Sequence, residues 1–278
     1  MSFESIEKRK FRWGSRTYVM GVLNATPDSF SDGGRFFEPS SALARAREML
    51  EQGVDIIDIG GERTRPGAEV VDAEAEAARI IPLDSHLARH TEAVISVDTY
   101  KPEVAEAALE AGAHLINDIG GLRDLRMIEV LARYRAPVVA MHMKGEPATM
   151  QVAPEYDDVV GEVRDFLRAA VERAKEAGIP VWIDPGIGFG KTLEHNLTLL
   201  RRLSELRMPG IPLLIGTSRK AFIGKILDLP PSERDEGTMA TVSLAIQSGA
   251  DVVRVHDVRS AVRVAKVSDA IVRELSCV

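Results

Sequence analysis

Cysteine is almost missing: Cys277 is the only one in 278 residues. No internal disulfide and no CxxC zinc pair can form, which fits a reducing compartment. Aromatic residues are sparse, at 5%. No apolar run approaches the roughly 20 residues that cross a bilayer; Val19–Leu23 and Ile211–Ile215 are among the longest. The opening MSFESIEKRK has no apolar signal core, so a cytoplasmic location away from membranes is expected. HExxH is absent. A P-loop is absent too, because DPGIGFGKT at 184–192 has Pro185 where glycine is required and only three residues between Gly186 and Gly190. An excess of positive charge is also lacking. The net charge of −7 weakens any nucleic-acid-binding role.

What remains is an ordinary globular composition, 45% hydrophobic and 28% charged, which excludes disordered and collagen-like chains. Short β-rich apolar runs recur at Tyr18–Leu23, Ile56–Gly60, Val94–Asp98, His114–Ile119, Pro137–His142, Pro180–Asp184, Pro212–Thr217 and Asp251–His256. Most lack polar alternation, as strands buried on both faces of a parallel sheet do. Helical patterns alternate with them, at Ser40–Gln52, Asp72–Leu87, Pro102–Ala111, Asp124–Tyr134, Tyr156–Ala177, Leu193–Leu206, Thr238–Gln247 and Ser260–Leu275. This alternation predicts an α/β fold, a (β/α)8 TIM barrel, with an open doubly wound sheet as the alternative. The N-terminal stretch Phe3–Arg16 is expected to form a β-hairpin closing the barrel bottom. With no linker or repeat in view, residues 1–278 are expected to be one domain.

Barrel enzymes place their chemistry at the C-terminal strand ends. Every expected strand here ends in polar residues: Asn24, Asp58 with Glu62, Asp98, Asn117 with Asp118, His142, Asp184, Ser218 with Lys220, and Arg254 with His256. One such residue alone is an ordinary loop cap; their convergence on one rim predicts a pocket. Two Gly- and Pro-rich loops, NATPDSFSDGGRF at 24–36 and GGERTRPGA at 60–68, read as covers for it. Arg254 and His256 fall on one side of the last strand, just before a helix start, and so suit an anion.

The ordered set GVLNATPDSFSDGG, IDIGGERTRPGA, SVDT, INDI, MHM, DPGIGFGK, GTSRKAFIG and RVHDV closely resembles the dihydropteroate synthase family of folate biosynthesis, over about residues 19–258. The resemblance implies a transferase. It would condense 6-hydroxymethyl-7,8-dihydropterin pyrophosphate with p-aminobenzoate, giving dihydropteroate and pyrophosphate by an ionisation-first substitution. It implies that Asp98, Asn117, Asp184, Lys220 and Arg254 surround the pterin. Asn24, Arg254 and His256 would hold the pyrophosphate, with Asn24 touching a Mg²⁺ that arrives with it. Thr64, Arg65, Pro66, Phe189, Lys220 and Ser218 would position p-aminobenzoate. Asp98, Lys220, Arg254 and His256 would carry the catalysis. Sulfonamide inhibition and a homodimer built on the last two helices are further implications.

Two positions depart from the family pattern. Arg63 replaces the serine of GGESTRPG, and Ala221 stands where a hydroxyl residue often follows the SRK lysine. Both bear on the aminobenzoate contacts. A catalytically silent pterin-binding protein and a methyltetrahydrofolate-dependent methyltransferase domain are the alternative readings. The pyrophosphate-side residues argue against each.

Overall fold

The computed structural model describes residues 3–6, 9–25, 40–62, 71–146 and 149–273. Two antiparallel strands open the chain, β1 (Phe3–Ile6) and β2 (Arg9–Arg12). Eight parallel strands follow: β3 (Tyr18–Asn24), β4 (Ile56–Gly60), β5 (Val94–Asp98), β6 (Leu115–Asp118), β7 (Val138–Met141), β8 (Val181–Asp184), β9 (Leu214–Ile215) and β10 (Val252–Val255). Their order is β8-β7-β6-β5-β4-β3-β10-β9. A parallel bridge from Ile183 to Leu213 joins β8 to β9 and closes the barrel. Around it lie α1 (Ser40–Glu51), α2 (Ala73–His90), α3 (Pro102–Ala111), α4 (Leu125–Tyr134), α5 (Val159–Glu176), α6 (Leu193–Arg201), α7 (Ala221–Leu227), α8 (Asp235–Gln247) and α9 (Val258–Val272).

The helix starts follow local chemistry. Asp72, Asp124, Asp158 and Asp257 accept first-turn backbone N–H groups with their side chains, which satisfies donors a helix leaves unpaired. α3 begins at Pro102 and ends at Gly112 in the left-handed region. The sequence pattern misses α7. This helix is a single short run containing Gly224, packed against the Arg234 guanidinium, and it shows too few turns for a helical period to emerge. β9 is shorter than expected because Asp251 takes over part of its pairing. The Asp251 carboxylate accepts the Leu213 N–H at 3.1 Å.

Strand parity divides the apolar residues into two cores. Ile57, Ile59, Ile95, Val97, Ile116 and Val253 face outward onto the helices. Ile56, Val94, Leu115, Val139, Trp182, Leu214 and Val252 face into the barrel, where Phe11 and Trp13 join them from the N-terminal hairpin. The hairpin therefore closes the barrel bottom, as expected. Phe11 stacks on Trp13 at 5.1 Å, and Trp13 meets Trp182 edge-on at 5.0 Å. The Trp182 and Trp13 indoles donate to one carboxylate oxygen of Glu4, at 2.9 and 3.2 Å. Asp55 then ties the hairpin to the barrel by accepting from Arg9 at 2.8 Å and Arg16 at 2.6 Å.

One buried acid lies outside the barrel. Asp84 of α2 is fully buried, and neither carboxylate oxygen has a hydrogen-bond partner among the described residues. The nearby Ala113 N–H points to Ala108 O. Burial pushes the Asp84 carboxyl up to about 7, with a smaller opposing effect from Ala113. A group whose folded pKa is raised stabilises the fold below its unfolded pKa and loses that contribution as pH rises through the folded one. The ionised form should therefore cost on the order of 4 kcal/mol. Urea unfolding should show Asp84→Asn gaining on the wild type as pH rises from 4 to 8. A stability difference independent of pH would contradict the assignment.

Candidate active site at the barrel mouth

Strand register collects the site. Val22, Asp58 and Ser96 stand level on β3, β4 and β5, and Gly60, Asp98 and Asn117 stand level on β4, β5 and β6. Arg254 stands opposite Met20 and reaches past β3. Its Nε donates to Asp58 Oδ2 at 2.6 Å, and its Nη2 donates to Asp98 Oδ2 at 2.5 Å. Asp58 also accepts from Ser96 Oγ at 2.6 Å and from Asn117 Nδ2 at 3.2 Å. Asp58 thus orients both the arginine and the amide.

Asp98 keeps one acceptor in reserve. Its Oδ1 is buried and receives no hydrogen bond among the described residues. Desolvation pushes the Asp98 carboxyl up to about 7; Arg254 opposes this, and the Asp58 charge adds to it. Asp184 is buried at the end of β8 and accepts the Gly186 N–H at 2.7 Å. Burial raises its pKa against the pull of Lys220. Lys220 precedes α7, donates to Ile187 O and lies 4.6 Å from the Phe189 ring centroid. Desolvation brings its ammonium down to about 8, against the attraction of Asp184. Ile119, Met141, Met143 and Met150 form an apolar wall on which Tyr100 and Phe189 pack.

The structure therefore brings Asp98, Asn117, Asp184, Lys220 and Arg254 to one mouth, with Phe189 at its edge. Asn24 and His256 line a cavity of about 620 Å³ beside the end of β3. Ser218 is engaged with His256: its Oγ accepts the His256 backbone N–H at 3.1 Å and lies 2.9 Å from Nδ1. Thr64, Arg65, Pro66 and Arg63 lie outside the described residues, as do residues 26–36 of the first loop and Cys277. Lys101 grips Glu62 and Glu76 together and so fixes the strand-side root of the second loop. Among the described residues no group of three or more His, Cys, Asp or Glu could hold a metal ion. None of their helices is long and apolar enough to cross a membrane.

The sequence reading named Asp58 only as one strand-end residue and did not single out Ser96 or Lys191. Parity was the available signal for the first two, since residues 56, 58 and 94, 96, 98 alternate onto the same inner face.

Comparison with known proteins gives one answer. The family described as "Pterin binding enzyme" matches residues 20–256. A dihydropteroate synthase of Synechocystis is 51% identical, over 95% of this chain and 93% of its own length. The crystal structure of the Yersinia pestis dihydropteroate synthase with a sulfonamide drug superposes with a TM-score of 0.90, at 42% identity, over 97% of this chain and 99% of that one. The Xanthomonas albilineans dihydropteroate synthase in complex with 7,8-dihydropteroate gives 0.83 at 42% identity, over 95% and 96% of the two chains.

The Asp58 charge helps keep the Asp98 carboxyl high. Carboxyl ¹³C NMR should find Asp98 titrating near 7 in the wild type and lower in Asp58→Asn. An unchanged titration would break the link between the two carboxylates.

Proposed function

The chain belongs to the dihydropteroate synthase family, and from that membership we propose how its own residues carry the family reaction. It is a transferase. It joins the methylene carbon of 6-hydroxymethyl-7,8-dihydropterin pyrophosphate to the amine of p-aminobenzoate, giving 7,8-dihydropteroate and pyrophosphate in folate biosynthesis. It is also a target of sulfonamides, as the Yersinia pestis complex indicates.

The buried Oδ1 of Asp98, without a partner among the described residues, carries the residue assignment. A buried acceptor without a donor is costly unless a ligand supplies one. The N–H groups of a dihydropterin edge supply it. Asn117, held by Asp58, and Asp184, held by the Gly186 N–H, offer further amide and carboxylate partners. Lys220 donates to the pterin carbonyl, and Arg254 lies across the ring. Asn24, Arg254 and His256 take the pyrophosphate. Phe189 and Lys220 flank p-aminobenzoate, together with Thr64, Arg65 and Pro66. Ser218, which also engages His256, meets the carboxylate of the same substrate.

The C–O bond breaks first in this reading. Positive charge then develops on the pterin methylene beside Asp98, whose carboxylate is weakly solvated and interacts strongly with it. The neutral arylamine attacks and releases a proton. No nucleophile–base pair is needed. Mg²⁺ suits a site rich in substrate phosphate and poor in protein carboxylate ligands. The exposed Asn24 side-chain carbonyl would be its protein ligand, and the ion would supply charge neutralisation for the departing pyrophosphate. We further propose one domain spanning the chain, a cytoplasmic location and a homodimer. The dimer would cover the exposed Leu244, Val267, Ile271 and Val272 of α8 and α9.

Product analysis tests the reading directly. With both substrates and Mg²⁺, the purified protein should release pyrophosphate and form dihydropteroate by mass; pterin binding without release would sink it. Asp98 must be ionised and Lys220 protonated. The kcat/KM should therefore rise as pH passes through about 7 and fall above about 8; a flat profile across that range would remove one of these groups from the mechanism. Asp98→Asn should lower kcat by about 10²–10³-fold, and a folded variant of near-normal turnover would dismiss its role. His256→Ala should weaken pyrophosphate binding but spare a pterin lacking that group. Equal losses by calorimetry would reject the assignment.

A further inference from the structure

The segment from Asp184 to Lys191 carries more structure than its pterin contact requires. Gly186, Gly188 and Gly190 all have left-handed backbone, with φ of +64°, +86° and +60°. A Cβ on Gly186 would fall 1.9 Å from His142 O, and one on Gly190 would fall 2.3 Å from Lys144 O. The loop is thus pressed onto the backbone that follows β7, where no strand ladder serves its carbonyls. Each carbonyl from Gly186 to Gly190 is instead met by a donor. Gln151 donates to Gly188 O at 2.7 Å, and the Tyr156 hydroxyl donates to Gly190 O at 2.8 Å. Ile187 O takes Lys220.

The remaining two carbonyls share one donor atom, and Gly186 O accepts the Phe189 N–H at 3.0 Å as well. Lys191 folds back beneath its own loop, and its Nζ donates to Gly186 O and Phe189 O, both at 2.9 Å. A third partner is His142 Nδ1, also at 2.9 Å. Three close acceptors match the three N–H bonds of an ammonium. His142 Nδ1 must then be an acceptor, and burial holds that imidazole neutral, with its pKa lowered to about 2. Lys191 is only 3% exposed. Burying a cation costs several kcal/mol unless it is fully paired. A hydrophobe could fill the space, so the ammonium must do something a hydrophobe would not.

Resting on the function proposed above, we infer that Lys191 is a positioning residue for Lys220: its Nζ locks Gly186 and Phe189, and so sets the Ile187 carbonyl and Phe189 ring that hold the Lys220 ammonium. Lys191 touches no substrate. It acts through one rigid loop. The charged groups acting on Lys220 are Asp184 from β8, Asp98 from β5 and Arg254 from β10. Those acting on Lys191 are Asp184 and Lys220, with neutral His142 facing it from the end of β7. Burial lowers the Lys191 pKa well below its usual range, so its hydrogen bonds, not a net charge, carry the effect. Loosening them frees the Ile187 carbonyl and the Phe189 ring that favour the Lys220 ammonium, whose pKa must then fall.

The test is Lys191→Met, with Lys191→Gln as a variant that keeps two donors but no charge. In folded Lys191→Met, kcat/KM for the pterin pyrophosphate should fall roughly tenfold to a hundredfold, the scale of a small misplacement of a binding group. Its alkaline limb should move to lower pH. Lys191→Gln should recover part of the affinity and bring the limb part of the way back. Loss of packing alone would lower the active fraction and leave KM and the limb in place; that result overturns the inference. If Lys191→Met does not fold, Lys191→Gln alone decides through its limb: displaced supports the inference, unmoved overturns it. Fluorescence titration with a pterin lacking the pyrophosphate reads the same loop without turnover. A wild type that binds pterin but makes no dihydropteroate would refute the synthase mechanism. The weaker pterin binding expected of Lys191→Met would still be measurable.

Discussion

The guanidinium of Arg254 between Asp58 and Asp98 is the constraint on which the site depends. It links β10 to β4 and β5 across β3, at 2.6 and 2.5 Å. Such contacts exist only if the sheet closes with β10 beside β3, in the observed register. Removing one member of a buried pair typically costs about 3–5 kcal/mol, because the survivor is left uncompensated. An arrangement that slipped by one residue would turn Asp58 and Arg254 toward the helices, where apolar residues crowd. The polar mouth therefore penalises misregister of the barrel that carries it. The carboxylates Asp58, Asp98 and Asp184 stand against the cations Arg254 and Lys220.

The two ends of the barrel divide the work. At the bottom, Phe11, Trp13, Tyr18 and Trp182 pack into an aromatic plug around the Glu4 carboxylate. Their burial stabilises the fold, and Asp55 fastens the hairpin that brings two of them. At the mouth, stability is given up. Burial raises the pKa of Asp98 and Asp184 and lowers that of Lys220, which means the folded protein holds each in a form it partly resists. Strain of that kind is affordable only because the rest of the barrel is satisfied.

Strand parity made much of this readable in the sequence. Apolar runs and helix punctuation marked the barrel, and the strand-end polar residues predicted where Asp98, Asn117, Asp184 and Arg254 would meet. Parity says which way a side chain points but not which neighbour it bonds. The clamp of Asp58 on Arg254 and the engagement of Ser218 by His256 are contacts across 196 and 38 positions, and no local pattern encodes them. Lys191 was hidden for a different reason. It reads as the end of a failed P-loop, where a lysine would extend toward phosphate, whereas the positive-φ glycines turn the chain so that it folds back under the loop. α7 was too short for its period to show.

A desolvated carboxylate near pH 7 is an unusual instrument, and its position suggests what it is for. An aspartate of ordinary pKa, well hydrated, would meet a developing cation through water and gain little. The Asp98 carboxyl is pushed up to about 7 because burial strips its water while the Asp58 charge opposes its own. Its ionised form is therefore poorly compensated in the free protein. It becomes well compensated only when positive charge appears at the pterin methylene. The interaction is stronger in the transition state than in the ground state, which is the condition for a contact to raise kcat and not merely tighten binding. Arg254 sets the limit of this device. It holds one oxygen of Asp98 and leaves the other to the substrate, so that the carboxylate is anchored without being neutralised.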